Sequence, residues 1–168
     1  VLVTAGPTRE PIDPVRFISN RSSGKMGYAI AKSAKDFGAK VDLVSGTVYL
    51  GAISQVNIIK VETAKQMGKA IEDMLEKSTD ILQNIVDKSS AKIIGFALET
   101  NNGEREALKK LENKKLDYIV LNYANEEGAG FNSNTNHVFI YSKNNEMIEL
   151  KKDRKDRISI KILEWVLN

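Results

Sequence analysis

The stretch "RFISNRSSGKMGYAIAKSAKDFG", Arg16 to Gly38, decides how the chain is read. From Lys25 onward, Met26, Ile30, Ala31, Ala34 and Phe37 recur near helical spacing, and Gly38 ends the run. Upstream, "VLVTAG" is a short apolar run closing on Gly6, the pattern of a buried strand. Downstream, "KVDLVSG" (40–46) is a second strand. Strand, helix, strand is the opening of a parallel α/β sheet. Between the first strand and the helix, "TREPIDPVRFISN" carries Pro11 and Pro14 and no clean period. It is expected to be a loop with a task.

The alternation continues. "VNIIKV" (56–61) is a third strand, and Thr63 opens a helix with Met67, Ile71, Met74 and Leu75 on one face. "STDILQNIVDK" (78–88) is expected to be a separate helix with Ser78 or Thr79 as N-cap. "AKIIGFALE", the charged helix "NNGEREALKKLENKKL" and the strand "DYIVLNY" follow. "HVFIYSKNNEMIELKK" is two strands about a turn, an antiparallel hairpin extension at about 128–152. A last helix, about Asp153 to Leu167, presents Ile158, Ile162, Leu163 and Val166. The fold class expected is therefore α/β, a doubly wound, mostly parallel Rossmann-like sheet with helices on both faces and a C-terminal antiparallel hairpin. The length of 168 residues suits a single domain, 1–168. One junction breaks the pattern: two helices meet at Lys77–Ser78 with no strand between them, so either the two helices are consecutive or a segment is missing there.

Composition narrows the chemistry. There is no cysteine, which excludes thiol nucleophiles and thiolate metal sites in this chain, and His137 is the only histidine. No protein-held metal site is expected, and a bound ion would be Mg²⁺ brought in on phosphates. A net charge of +3 without a basic run suits a small anion and gives no sign of nucleic acid. No membrane span or signal peptide is visible, so a cytoplasmic location is expected. The chain begins at Val1 without an initiator Met, and is expected to derive from a longer protein.

Two phosphate-binding signatures fail. A P-loop would need glycine where Ser19 stands, and no G-x-G-x-x-G follows the first strand. Their physics still applies. Ser22, Ser23, Gly24 and Gly27 lie at a helix N-terminus, where backbone N–H groups and the helix dipole favour an anion. A serine N-cap is the plain alternative. Arg9, Arg16 and Arg21 surround Asn20; arginine forks suit carboxylate or phosphate, and an asparagine amide can stabilise an oxyanion. A solvated loop with structural ion pairs is the alternative here. Lys110 and Lys114 stand one turn apart and could clamp a triphosphate, or simply be solvated. Phe96, central in an apolar strand, reads as core, and His137 has no assigned role.

Together "TAGPTREPIDPVRFISNRSSGKMGYAIAKSA", "VETAKQM", "GFALETNN", "KKLDYIVLN" and "GAGFNSNTN" resemble the phosphopantothenate–cysteine ligases, also called phosphopantothenoylcysteine synthetases. In bacteria this is often the C-terminal half of a bifunctional coenzyme A biosynthesis protein, and FMN belongs to the separate N-terminal decarboxylase half. The resemblance implies a CTP- and Mg²⁺-dependent joining of 4′-phosphopantothenate to L-cysteine through an acyl-cytidylate. It implies that Asn20 binds that intermediate, with Arg16 as its partner in the loop. Gly6, Ser22, Gly24 and Gly27 fall where the family brings backbone to the nucleotide. The family's Pro-Asp-Ile stretch falls on Thr79, Asp80, Ile81 and Leu82, with threonine for proline. Phe96 falls on an aromatic lying against the nucleotide, and Lys110 and Lys114 on two lysines completing the CTP site. A homodimer is implied as well. The family's Ala-Val-Ala-Asp-Tyr motif and Lys-Ile-Lys-Lys segment, which supply an aspartate and a catalytic lysine, are missing at Lys77–Ser78. A nucleotide-binding module without turnover is the competing reading. A short-chain dehydrogenase is disfavoured, because no G-x-G-x-x-G follows the first strand.

Overall fold

The computed structural model describes residues 1–82, 91–100, 102–126 and 133–167 and, of residues 77–82, the backbone alone. Val1–Ser89 and Ser90–Asn168 form two compact units. The α/β class expected from the sequence is what the chain adopts, with parallel strands in both units and helices packed on them.

In the first unit, β1 (Leu2–Ala5), β4 (Asp42–Ser45) and β5 (Asn57–Lys60) form a parallel sheet in the order β1-β4-β5. Leu43 and Val44 point to opposite faces and both are fully buried, so β4 is covered on both sides. Helix α1 (Lys25–Asp36) crosses over between β1 and β4 and buries Tyr28, Ile30, Ala31 and Ala34. Its end is a Schellman motif: Gly38, at φ +85°, donates to the Lys35 carbonyl, and Ala39 donates to that of Ala34. Phe37, expected on the buried face, is the C-cap residue and is half exposed, because the helix has already turned away.

The expected loop after β1 contains a short antiparallel hairpin, β2 (Arg9–Pro11) with β3 (Phe17–Ser19). It is tied to the start of the next helix, α2 (Ala64–Leu82): the Arg9 amide donates to the Glu62 carbonyl, and Glu10 Oε1 accepts the Ala64 amide. Thr63 and Gln66 form a reciprocal capping box at that same end. Helix α2 then runs without interruption through Lys77–Ser78. The expected second helix capped by Ser78 or Thr79 is thus a continuation of the first, and 83–90 lie outside the described residues.

In the second unit, β6 (Ile94–Glu99) pairs in parallel with β7 (Tyr118–Tyr123), and β8 (Thr135–Ser142) and β9 (Met147–Arg154) add antiparallel in the order β6-β7-β8-β9. Helix α3 (Gly103–Asn113) is the crossover from β6 to β7. Ala107 and Leu111 pack with Ala97, Ile119, Leu121 and Tyr141 on one face of the sheet. Val120, Val138 and Ile140 alternate to the other face and are buried, as are Ile158, Ile162, Leu163 and Val166 of α4 (Lys155–Leu167). Those four are the apolar positions that the spacing of the last helix predicts.

Candidate functional site

Three pieces of backbone converge at the carboxyl end of β1 and β4, and glycine is what lets them meet. Gly6, leaving β1 at φ +79°, and Gly24, before α1 at φ +74°, lie against each other: a Cβ on Gly24 would sit 3.4 Å from the Gly6 Cα and 2.7 Å from Val48 Cγ1. Gly46, after β4, lies so close to Pro7 that its Cβ would overlap the Pro7 carbonyl oxygen. Gly27, inside the first turn of α1, rests directly on Thr4 and Ala5. The strand-end location is where parallel α/β sheets hold ligands. A groove of about 570 Å³, lined by Thr47, Lys60, Val61, Glu62 and Gln66, opens at the ends of β4 and β5.

The cap of α1 corrects the serine reading. Gly24 is the N-cap in a left-handed conformation, and no side chain caps the helix. Ser22 serves the approach instead. Asn20 Oδ1 accepts the Ser22 amide at 2.9 Å, and Ser22 Oγ accepts the Gly24 amide at 3.4 Å, folding 20–24 over the helix start. Because Oδ1 is the accepting atom, the Asn20 NH₂ is left as a donor with no protein partner among the described residues. That is the group an oxyanion needs.

Arg16 does not join Asn20 by any hydrogen bond among the described residues. Its Nε binds Asp13 Oδ2 at 2.6 Å, while Asp13 Oδ1 accepts the amides of Val15 and Arg16. The Val15 amide foremost, then the Arg16 side chain and amide, hold the Asp13 carboxyl below the ordinary aspartate range. Arg16 instead makes a local ion pair with Asp13 and is largely exposed. Arg9 stacks over Phe17 at 4.6 Å.

In the second unit, Phe96 is 50% exposed, against the expectation of core. The strand's parity explains it: Ala97 turns to the α3 side and is buried, which sends Phe96 to the other face. Lys110 is ion-paired with Glu99. Lys114 lies beyond the helix as its C-cap residue. Thr79, Asp80, Ile81 and Leu82 have helical backbone in α2; their side chains are outside the described residues, as are 127–132 of the "GAGFNSNTN" loop.

Two further arrangements escaped the sequence reading. Glu99, which ends a strand eleven residues before Lys110, could have been found only by asking what that lysine faces. His137 lies between Glu126 at Nδ1 and Glu149 at Nε2, each at 2.9 Å, and nothing in the sequence pairs them. Among the described residues no group of three or more His, Asp or Glu could hold a metal ion, and no helix is long and apolar enough to cross a membrane.

Residues 1–79 and 69–168 match the model of the DNA/pantothenate metabolism flavoprotein C-terminal domain. The chain belongs to this family. Within the family, it is similar to the coenzyme A biosynthesis bifunctional protein CoaBC of Vibrio vulnificus (strain YJ016). That protein is 39% identical over 206 residues, covering 99% of this chain and 51% of the relative. The chain thus spans about half the length of the curated relatives it matches. The alignment is also longer than the 168 residues available, so the relative carries residues without a counterpart here. The crystal structure of the C-terminal domain of a coenzyme A biosynthesis bifunctional protein CoaBC is 36% identical with a TM-score of 0.81, covering 98% of this chain and 92% of that one. A Cab2 mutant in complex with phosphopantothenate-cysteine shares the fold at 15% identity and a TM-score of 0.71, covering 99% of this chain and 84% of that one.

Proposed function

We propose that this family member is the domain of a coenzyme A biosynthesis enzyme that ligates 4′-phosphopantothenate to L-cysteine at the expense of CTP. A carboxylate oxygen of phosphopantothenate attacks the α-phosphorus of CTP and pyrophosphate leaves. The amine of cysteine then attacks the acyl carbon, CMP leaves, and the nitrogen loses a proton. The observation that carries this reading is the Asn20 amide, pinned by the Ser22 amide so that its NH₂ stands free beside a glycine-lined helix start.

In this reading the bare backbone of Gly6, Gly24 and Gly27, with Ser22 beside it, admits the phosphates. Asn20 donates to the oxygen that gains charge when acyl transfer begins, and does so without changing protonation. Arg16 is drawn off Asp13 when an anion arrives. Phe96 offers a flat apolar surface to the cytosine, and Lys110 and Lys114 counter the charge of the triphosphate. Thr79, Asp80, Ile81 and Leu82 contribute to the nucleotide site. Mg²⁺ enters on the phosphates and offsets repulsion between two anionic substrates. The active form is a cytoplasmic homodimer, and any FMN belongs to a separate decarboxylase half.

The test is pyrophosphate release by the full-length protein, with CTP, 4′-phosphopantothenate and cysteine present. Asn20→Ala should reduce it by about 10²–10³-fold, the usual loss for one oxyanion donor. Activity of that variant within threefold of wild type overturns the assignment.

A second reading keeps the nucleotide site and gives up turnover. It is favoured by an alignment longer than the chain, which is in keeping with the absence of the family's Ala-Val-Ala-Asp-Tyr and Lys-Ile-Lys-Lys segment. CTP binding without pyrophosphate release would decide for it.

A further inference from the structure

We propose that Glu99 is the positioning residue that holds Lys110 for the outer phosphates of the nucleotide, a role that rests on reading Lys110 as a phosphate ligand. Glu99 is the last residue of β6, at the carboxyl end of a parallel strand. Its backbone is fixed: it lies in register with Tyr123, and its carbonyl accepts the Ala124 amide at 2.8 Å. Its side chain is only 16% exposed, whereas that of its partner Lys110 is 43% exposed. The carboxylate is therefore the rooted member of the pair and the ammonium the one presented outward.

Helix α3 is equally constrained. Gly103 lies against the Tyr123 ring so closely that a Cβ would come within 2.5 Å of Cε1, and Ala107 and Leu111 are buried. The backbone under Lys110 thus has one position relative to Glu99. What remains free is a four-carbon stem rich in rotamers, and the carboxylate removes that freedom before a ligand arrives. An ammonium has three donors. Glu99 takes one and leaves two for phosphate oxygens. Neighbouring Lys109 is turned to Glu106 at 2.9 Å, so Lys110 is the lysine of this helix directed to the strand end.

A carboxylate beside a phosphate site has two opposed effects. It orients the lysine, and it also repels the phosphate. Conservative and truncating variants separate them. Glu99→Gln keeps an acceptor oxygen and removes the repulsion, while Glu99→Ala removes the orientation too. The full-length protein is titrated with CTP and with CMP, both with Mg²⁺, and the ratio of the two affinities is the readout, since a general loss of structure would lower both together. Glu99→Ala should lower the CTP:CMP ratio roughly tenfold, and Glu99→Gln should hold it within about threefold of wild type. Lys110→Ala should lower it at least as far as Glu99→Ala. If Lys110→Ala lowers the ratio and Glu99→Ala leaves it unchanged, or if both Glu99 variants raise it, the positioning role is overturned and Lys110 stands. If Lys110→Ala leaves the ratio unchanged, the reading of Lys110 falls and the role of Glu99 with it.

Discussion

Replacing Gly27 by alanine sets two effects against each other, and the structure decides the sign. Gly27 is within the first turn of α1, so alanine gains about 1 kcal/mol of helix propensity. The added Cβ, however, would lie 2.5 Å from Ala5 Cβ, 3.0 Å from the Thr4 carbonyl oxygen and 3.1 Å from Ala5 Cα. Carbon atoms prefer roughly 3.5–4.0 Å. None of these atoms can rotate aside, because they belong to the strand backbone and its first side-chain carbon. The helix has to lift by about 1 Å, which loosens Ile30, Ala31 and Ala34, all buried on α1. Overpacking of this kind costs about 1–3 kcal/mol, and the immovable neighbours place it at the upper end. The net expectation is a loss of about 1–2 kcal/mol.

Gly68 supplies the control. It lies within α2, and a Cβ there meets no heavy atom within 4 Å among the described residues. Gly68→Ala should therefore stabilise by up to about 1 kcal/mol. Urea unfolding followed by circular dichroism compares the midpoints, with the slope checked for constancy. Gly27→Ala proving as stabilising as Gly68→Ala would refute the close approach of α1 to β1, and with it the glycine-lined cradle.

Asp117 accepts the Ile93 amide and the Lys143 ammonium, both at 2.7 Å, and so ties the starts of β6 and β7 to the end of β8. Lys143 first and the Ile93 amide second hold its carboxyl below the ordinary 3.8. A depressed carboxyl contributes stability that is complete above the unfolded value and is lost as pH falls through the folded one. Asp117→Asn should cost about 1–2 kcal/mol at pH 7, with the gap from wild type closing below about pH 4; a gap constant from pH 7 to pH 2.5 contradicts the assignment. Phe96→Ala should barely move the melting temperature, because half the ring is already in solvent, yet weaken CTP binding measured by calorimetry about tenfold. A large melting shift with unchanged binding would return Phe96 to the core.

Much of the framework was readable from spacing. Ile30, Ala31 and Ala34, or Ile158, Ile162, Leu163 and Val166, declare a buried helical face, and Gly38 declares a helix end. What escaped reading depends on geometry that residue type does not encode. The β2–β3 hairpin is three residues wide and β3 is exposed throughout, so no apolar alternation marks it. Ser78 and Thr79 look like a cap, yet nothing in Lys77–Asp80 prevents a helix from passing through. At Gly24 the backbone needs φ +74°, which serine tolerates poorly, so the cap falls to the glycine. Of the candidate site, Asn20, Gly24 and Gly27 stood out because an unusual loop and a helix start leave a signature, Gly6 came from the resemblance alone, and Gly46 was missed because its contact with Pro7 is set by the fold. The Asp13–Arg16 and Glu99–Lys110 pairs were not, because turn conformation and a strand-to-helix connection set their distances.

The two bonds from the hairpin to the head of α2 also bear on how firmly Asn20 is held. Glu10 and Ala64 are 54 residues apart, so the segment bearing Asn20 is anchored by a contact that closes a long stretch of chain. An opening at Glu10 is thus expected to loosen the hairpin that leads to Asn20, which faster hydrogen exchange at the β2–β3 amides than at those of β1 and β4 would show.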